Sequence, residues 1–239
     1  MKFVGVLAVA LALGGAAQAK QFVVNGDFTQ LSNGVGQFDT NTAVTGWSGG
    51  GGYNFVMSSA DAGSNGVYGN VSLWDANNGG ATSWNGSAAL SGNFAAMDGD
   101  FNTDPISQTI TGLTPGKTYT LSFRYAFGQQ YGFSGATQQT LTAKLGANFS
   151  WTSPTETLNS HGFSGWSQET AIVTADSTSE VLSFLAYGNL PVPPFALVSN
   201  VSLLGGVPEP ATWAMLIAGV AMVGVAARHR RKVTAVVAA

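Results

Sequence analysis

The 239-residue chain contains no cysteine. That absence excludes a disulfide framework, thiolate zinc sites and cysteine nucleophiles. Histidine is almost as scarce. His161 and His229 are the whole complement, which leaves little for imidazole metal sites or histidine-centred triads. Charged residues make up 9% of the chain, far below the roughly 25% of an ordinary soluble domain. Positive charge is scarcest in the middle. Between residues 20 and 207 the basic side chains are Lys20, Lys117, Arg124 and Lys144, against eleven carboxylates. An acidic middle repels phosphate backbones, so no nucleic-acid partner is expected. Helical periodicity is weak over the same stretch. Glycine is the residue in excess, with 32 copies, about twice its usual share.

The two ends differ from the middle. Residues 1–19 place Lys2 before an apolar run from Phe3 to Leu13 and end in Ala17-Gln18-Ala19. This is the order of a secretory signal peptide, with cleavage expected after Ala19. Near the other end, Ala211 to Ala227 carries no charge. Its length is at the short limit of the ~17–25 residues that a transmembrane helix needs. Trp213 lies near one edge, where an indole suits the membrane interface. Arg228, Arg230, Arg231 and Lys232 follow at once. Such a cluster stays cytoplasmic and acts as a stop-transfer signal, which puts residues 20–207 outside the cytoplasm.

Pro208, Glu209, Pro210, Trp213 and Ala214, then the apolar segment, then the basic cluster, resemble a PEP-CTERM sorting signal of the PEPxxWA kind. The resemblance covers about thirty residues, 208–239. It implies an exported protein of the biofilm or exopolysaccharide machinery, processed by an exosortase at or near the motif. Such a protein is anchored in the inner membrane before processing and reaches the cell surface or matrix afterwards. The tail Val233–Ala239 departs from the pattern, since these signals usually end soon after their arginines. The two prolines around Glu209 hold that segment extended and out of the following helix.

In the middle, period-two alternation predicts strands. Tyr119, Leu121, Phe123, Tyr125 and Phe127 share one face, and Thr118, Thr120, Ser122 and Arg124 the other. Residues 140–145 alternate in the same way, and Ile106–Thr111, Gln168–Thr174, Val181–Tyr187 and Phe195–Leu203 are further strand candidates. Thr114-Pro115-Gly116-Lys117 has the composition of a type II turn and is expected to join two antiparallel strands. Trp47–Gly92 is rich in glycine, serine and asparagine. It is expected to form long loops, with short strands near Val71–Trp74 and Ala88–Met97. The fold expected is all-β, an antiparallel β-sandwich or jelly roll at 20–207, flanked by the signal peptide and a transmembrane helix at 211–227.

Four scattered segments carry a second resemblance. They are Val24-Asn25-Gly26-Asp27-Phe28, Gly46-Trp47, Ile106–Ile110 running into Gly112–Phe123, and Ala196–Leu203 with its Ser199-Asn200-Val201. Together they resemble the galactose-binding-like jelly rolls, the superfamily of many carbohydrate-binding modules. The resemblance implies a possible structural calcium near the first and last strands, with Asn25 and Asp27 as oxygen donors. Ser199 stands where that family usually has an aspartate, and Asn25-Gly26-Asp27 also has the composition of a plain turn. No other cofactor is expected.

No catalytic constellation stands out. Asp98, Asp100 and Asp104 are close in sequence but have the composition of a solvated turn. Ser164 lacks the spacing of a nucleophile elbow, and His161 has no evident partner. The chain is therefore not expected to be an enzyme. Aromatic rings in uncharged polar loops are suited to stacking on sugar faces, which nominates Trp47, Tyr53, Trp74, Trp84 and Tyr131. The same rings also suit a sandwich core, and Trp151 and Trp166 look like core or edge residues. The function expected is binding of extracellular polysaccharide. The alternative is a structural matrix protein or adhesin that binds proteins or itself.

Overall fold

A computed structural model describes residues 19–59, 71–81, 90, 92–189, 192–205 and 219–222. Eleven strands follow one another: β1 (Gly36–Gln37), β2 (Asn54–Ser58), β3 (Asn93–Asp98), β4 (Ile106–Thr111), β5 (Thr118–Gln129), β6 (Thr137–Leu145), β7 (Phe149–Thr152), β8 (Glu156–Leu158), β9 (Ser167–Thr174), β10 (Ser179–Gly188) and β11 (Pro194–Gly205). They form two antiparallel sheets, one in the order β1-β2-β3-β11-β5-β9 and one in the order β4-β10-β6-β7, with β8 also paired to β6. The pairings are nested. β3 pairs with β11, β4 with β10, β5 with β9 and β6 with β8, and successive pairs alternate between the sheets. A long antiparallel ribbon rolled on itself has this order, so the fold is a jelly-roll β-sandwich. Gln21–Gly205 forms one compact unit.

Alternation sets the inner faces. Tyr119, Leu121, Phe123 and Phe127 of β5 face Leu141, Ala143 and Leu145 of β6 and Leu182, Phe184 and Ala186 of β10, all in one buried cluster. Phe123 and Phe184 meet edge-on across the two sheets, with ring centroids 5.0 Å apart. Side chains buried this fully each contribute about 1.5–3 kcal/mol relative to exposure. Trp151 packs edge-on against Phe123 and Tyr125 from the neighbouring sheet.

The six-stranded sheet is covered on its outer face as well. Val71 and Leu73 from the segment after β2, and Phe163 from the segment before β9, close over Phe55, Met57, Phe94, Ala126, Phe195 and Leu197. Trp166 packs on Phe94 and Phe163 in this second cluster. A strand buried on both faces has no reason to alternate, and β2 accordingly reads Asn-Phe-Val-Met-Ser. For that reason β2 is absent from the sequence expectation, which treated Trp47–Gly92 as loops.

The Thr114–Lys117 turn forms, with Lys117 N–H donating to the Thr114 carbonyl and Gly116 at a φ of 77°. It does not close a hairpin. β4 and β5 lie in different sheets, so the turn carries the chain across the sandwich.

β5 defines the two ends of the body. Its Tyr119 pairs with Gly205, and Leu204 bridges to Gln21, so the chain enters and leaves at one end. Gln129 pairs with Pro194 at the other end, ~33 Å away at the rise of ten residues along the strand.

Candidate functional site

The motif segments converge on one structural knot. Trp47 is 6% exposed, packed against Phe28 and Phe184. Its indole N–H donates to the carbonyls of Val24 and Asn25. Gln108 clamps Val24 through both backbone groups, at 2.8 and 2.9 Å. Gly26 crosses β11 where its register shifts, and its carbonyl accepts the Val201 N–H. A Cβ on Gly26 would fall on the Val201 carbonyl oxygen. Trp47 was nominated as a sugar platform on composition. Both faces of its ring are covered here, so it is a core residue.

Asn25 and Asp27 sit in the same knot. The Asn25 amide donates to the carbonyls of Gln30 and Thr45, and its oxygen accepts the Gln30 N–H. Asp27 accepts the backbone N–H and hydroxyl of its neighbour Thr29. Ser199 donates to the Asn93 carbonyl. Calcium takes six to eight oxygens, and among the described residues no three Asp, Glu, His or Cys side chains gather where they could hold a metal. One carboxylate and an amide already pinning a turn are a poor match for that demand. These contacts account for Asn25 and Asp27 as turn formers.

The rings near the far end form a different arrangement. Trp74 stacks on His161, with ring centroids 3.7 Å apart and planes 21° apart. Tyr131 leans on the same indole at 4.6 Å. The indole N–H donates to the Phe133 carbonyl at 2.8 Å, and the His161 ring shares a hydrogen bond with Ser134. Tyr131 and Phe133 are 46% and 43% exposed.

Backbone bonds hold these loops. Trp74 N–H donates to Gln129, Tyr131 N–H to Ser72, and Ala81 N–H to His161. Beneath them the buried Gln129 side chain bonds Gly135, Thr137 and Gly162. Asp75 Oδ1 and Asn78 pin the turn after Trp74. The product is a rigid, partly exposed aromatic surface ringed by hydroxyls and amides.

Tyr53 lies on the same rim. It packs edge-on against Phe101, which is 61% exposed. Its N–H donates to Asn102, and its carbonyl accepts the Asp98 N–H. From Asp98 to Leu73 the rim crosses β11 and β5, about 15 Å at ordinary strand spacing. Asp98 is the buried anchor of its turn, accepting the N–H groups of Asp100 and Phe101. Burial pushes its carboxyl pKa up and the Asp100 charge adds to the rise, against the lowering pull of the two N–H bonds. Burial and the nearby Asp98 charge raise the Tyr53 phenol.

Of the residues nominated from sequence, Tyr53, Trp74 and Tyr131 thus share one end of the sandwich. Trp84 lies outside the described residues, as do the sorting residues Pro208, Glu209, Pro210, Trp213 and Ala214 and the cluster Arg228, Arg230, Arg231 and Lys232. Of the expected helix at 211–227 only Gly219–Met222 is described, and it is helical. No helix among the described residues is long and apolar enough to cross a membrane. His161, Phe133 and Phe101 were missed as rim residues. His161 has a partner after all, supplied by a loop far away in sequence, which no local spacing could reveal.

Residues 206–232 match the PEP-CTERM protein-sorting motif. No curated protein matches the chain in sequence. Among solved structures, one described as a CBM4 structure is 18% identical, covering 77% of this chain and 99% of its own, with a TM-score of 0.36. TmCBM61, solved with β-1,4-galactotriose, is 12% identical over 78% of this chain and 99% of its own, with a TM-score of 0.36. A family 11 carbohydrate-binding module from Clostridium thermocellum, solved with a mixed-linked tetrasaccharide, is 13% identical over 74% and 98%, with a TM-score of 0.31. The chain carries a PEP-CTERM sorting motif, and its structural neighbours are mostly carbohydrate-binding modules.

Proposed function

We propose that the protein is exported, processed by an exosortase at its PEP-CTERM motif, and binds extracellular polysaccharide through the aromatic rim. One observation carries the binding half. Trp74, Tyr131 and His161 form a preorganised ring cluster, held by hydrogen-bonded loops at the end of the body opposite its chain ends. Flat rings stack on the C–H faces of sugars, and neighbouring Ser134 and the exposed Asn77 suit their hydroxyls. Preorganisation limits the ordering cost of binding.

The test is retention of the Gln21–Gly205 body on a polysaccharide panel, with Trp74→Ala and Tyr131→Ala alongside. A central ring anchor is worth about 2 kcal/mol or more, so each variant should bind about tenfold or more weakly. Retention on no glycan, or retention indifferent to both variants, refutes the reading.

The sorting half rests on the motif at 206–232 and the apolar segment within it. In this reading residues 211–227 anchor the precursor in the inner membrane by one helix, and processing passes the body to the surface or matrix.

A second reading, a self-associating matrix protein, draws on the exposed Val181, Leu185 and Tyr187 along the outer face of β10. Micromolar self-association by sedimentation, with no glycan retained, would favour it.

A further inference from the structure

We infer that the polysaccharide taken at the rim is neutral or amine-bearing, and that polyanionic glycans such as polyuronates are excluded. The inference rests on the reading of the rim as a glycan site and adds the charge class of its ligand. It comes from how the few charges are distributed over the body. Lys117 lies in the turn at the end where the chain enters and leaves, and Lys144 stands one residue from the end of β6 on that same side. Lys20 immediately precedes Gln21 in the chain. Arg124 sits midway along β5, paired across to Ser199 and Gln168.

The rim half holds carboxylates instead. Asp100 stands exposed next to Phe101, while Asp98 beneath it and Asp75 after Trp74 are buried. Asp39 binds the Gly49 N–H beside Asp104, and Glu156 pairs with Gln139 on the rim half of β6. No lysine or arginine among the described residues stands on that half to offset them.

Recognition of a uronate or sulfate needs a cation or converging N–H donors at the sugar. The rim offers rings, hydroxyls, amides and the exposed Asp100 carboxylate. A like-charged polymer approaching it is repelled over about a Debye length, ~10 Å at 0.1 M salt, which covers most of the 15 Å rim. A protonated amine is attracted over the same range, and an uncharged sugar is indifferent to the field.

Matched polymers isolate the charge. The probes are β-1,4-galactan against polygalacturonate, and glycol chitosan against its N-acetylated form. Each is run by affinity electrophoresis with the full-length protein in mild detergent, as wild type, Trp74→Ala and Asp100→Lys. The expected result is retention by a neutral or amine-bearing member that Trp74→Ala abolishes. The matched polyanion should bind at least about tenfold more weakly at low salt. That gap should narrow as salt shrinks the Debye length from about 30 Å towards 3 Å, and Asp100→Lys should narrow it too. Polygalacturonate bound as tightly as galactan at low salt, through Trp74, overturns the inference and leaves the glycan site standing. Retention of no polymer, or retention that Trp74→Ala leaves unchanged, overturns the glycan site and the inference with it.

Discussion

Trp47 and Trp74 have similar sequence surroundings, yet the structure gives them opposite jobs, and one pair of substitutions separates these. Trp47 is 6% exposed. A tryptophan side chain buries about 150–250 Å², which at ~25 cal/mol per Å² is worth ~4–6 kcal/mol. Large-to-small measurements put tryptophan-to-alanine in a core at about 3–5 kcal/mol. The lost indole N–H adds little. The Val24 carbonyl keeps the Gln108 amide as a donor, and the Asn25 carbonyl keeps the Phe28 N–H. Trp47→Ala should therefore cost ~3–5 kcal/mol, which for a body of this size lowers the melting midpoint by roughly 6–20 °C.

Trp74→Ala removes a partly buried ring, its contacts with His161 and Tyr131, and one hydrogen bond. Its cost should stay within about 2 kcal/mol, while glycan retention falls. Thermal melts of both variants, read beside the retention assay, give the answer. A Trp47→Ala protein that melts like the wild type but loses glycan would refute the core assignment. A Trp74→Ala protein that keeps its glycan would refute the rim.

Gly26→Ala should be costlier than its size suggests, because the added methyl meets the Val201 backbone and breaks the crossing on β11. A loss of about 3 kcal/mol or more is expected in a denaturant melt, and a near-neutral change would contradict the close approach. Asp98→Asn tests a pH dependence. The folded carboxyl pKa lies above its ordinary value, so the native state binds the proton more tightly than the unfolded one. Stability should therefore fall as pH rises from the ordinary carboxylate range through the raised value. Asp98→Asn keeps an acceptor for the two N–H groups and should flatten that slope, with its advantage appearing above the raised pKa. An unchanged slope would contradict the burial argument. Calcium or chelator should leave the melting midpoint unmoved, and a calcium-dependent rise would revive Asn25 and Asp27 as ligands. Replacing Pro208, Glu209 and Pro210 with alanines should leave the precursor in the inner membrane. Normal surface release by fractionation would refute exosortase processing.

The alternating strands were legible because each faces a core on one side and water on the other. Ile106–Thr111 appears with the bounds that its pattern suggested, and β5, β6, β9, β10 and β11 differ by a few residues at their ends. β2 was not legible, because two cores bury both its faces and erase the period. The Thr114–Lys117 turn was legible as a turn but not as a crossing, since local chemistry does not say which sheet comes next. The rim was half legible. Composition picked out Tyr53, Trp74 and Tyr131, but it picked Trp47 by the same criterion. What separates them is whether Phe28 and Phe184, distant in sequence, close over the ring. His161 shows the converse. A lone histidine became a stacking partner only through the fold.

Indole N–H resonances report on the central claim most directly. In a heteronuclear NMR titration of the ¹⁵N-labelled Gln21–Gly205 body, with oligosaccharides cut from a retained polymer, the Trp74 indole signal should shift in a saturable way. The Trp47 signal should stay where it is. A Trp74 signal that never moves while Trp47 does, or no movement of either at saturating sugar, would contradict the account.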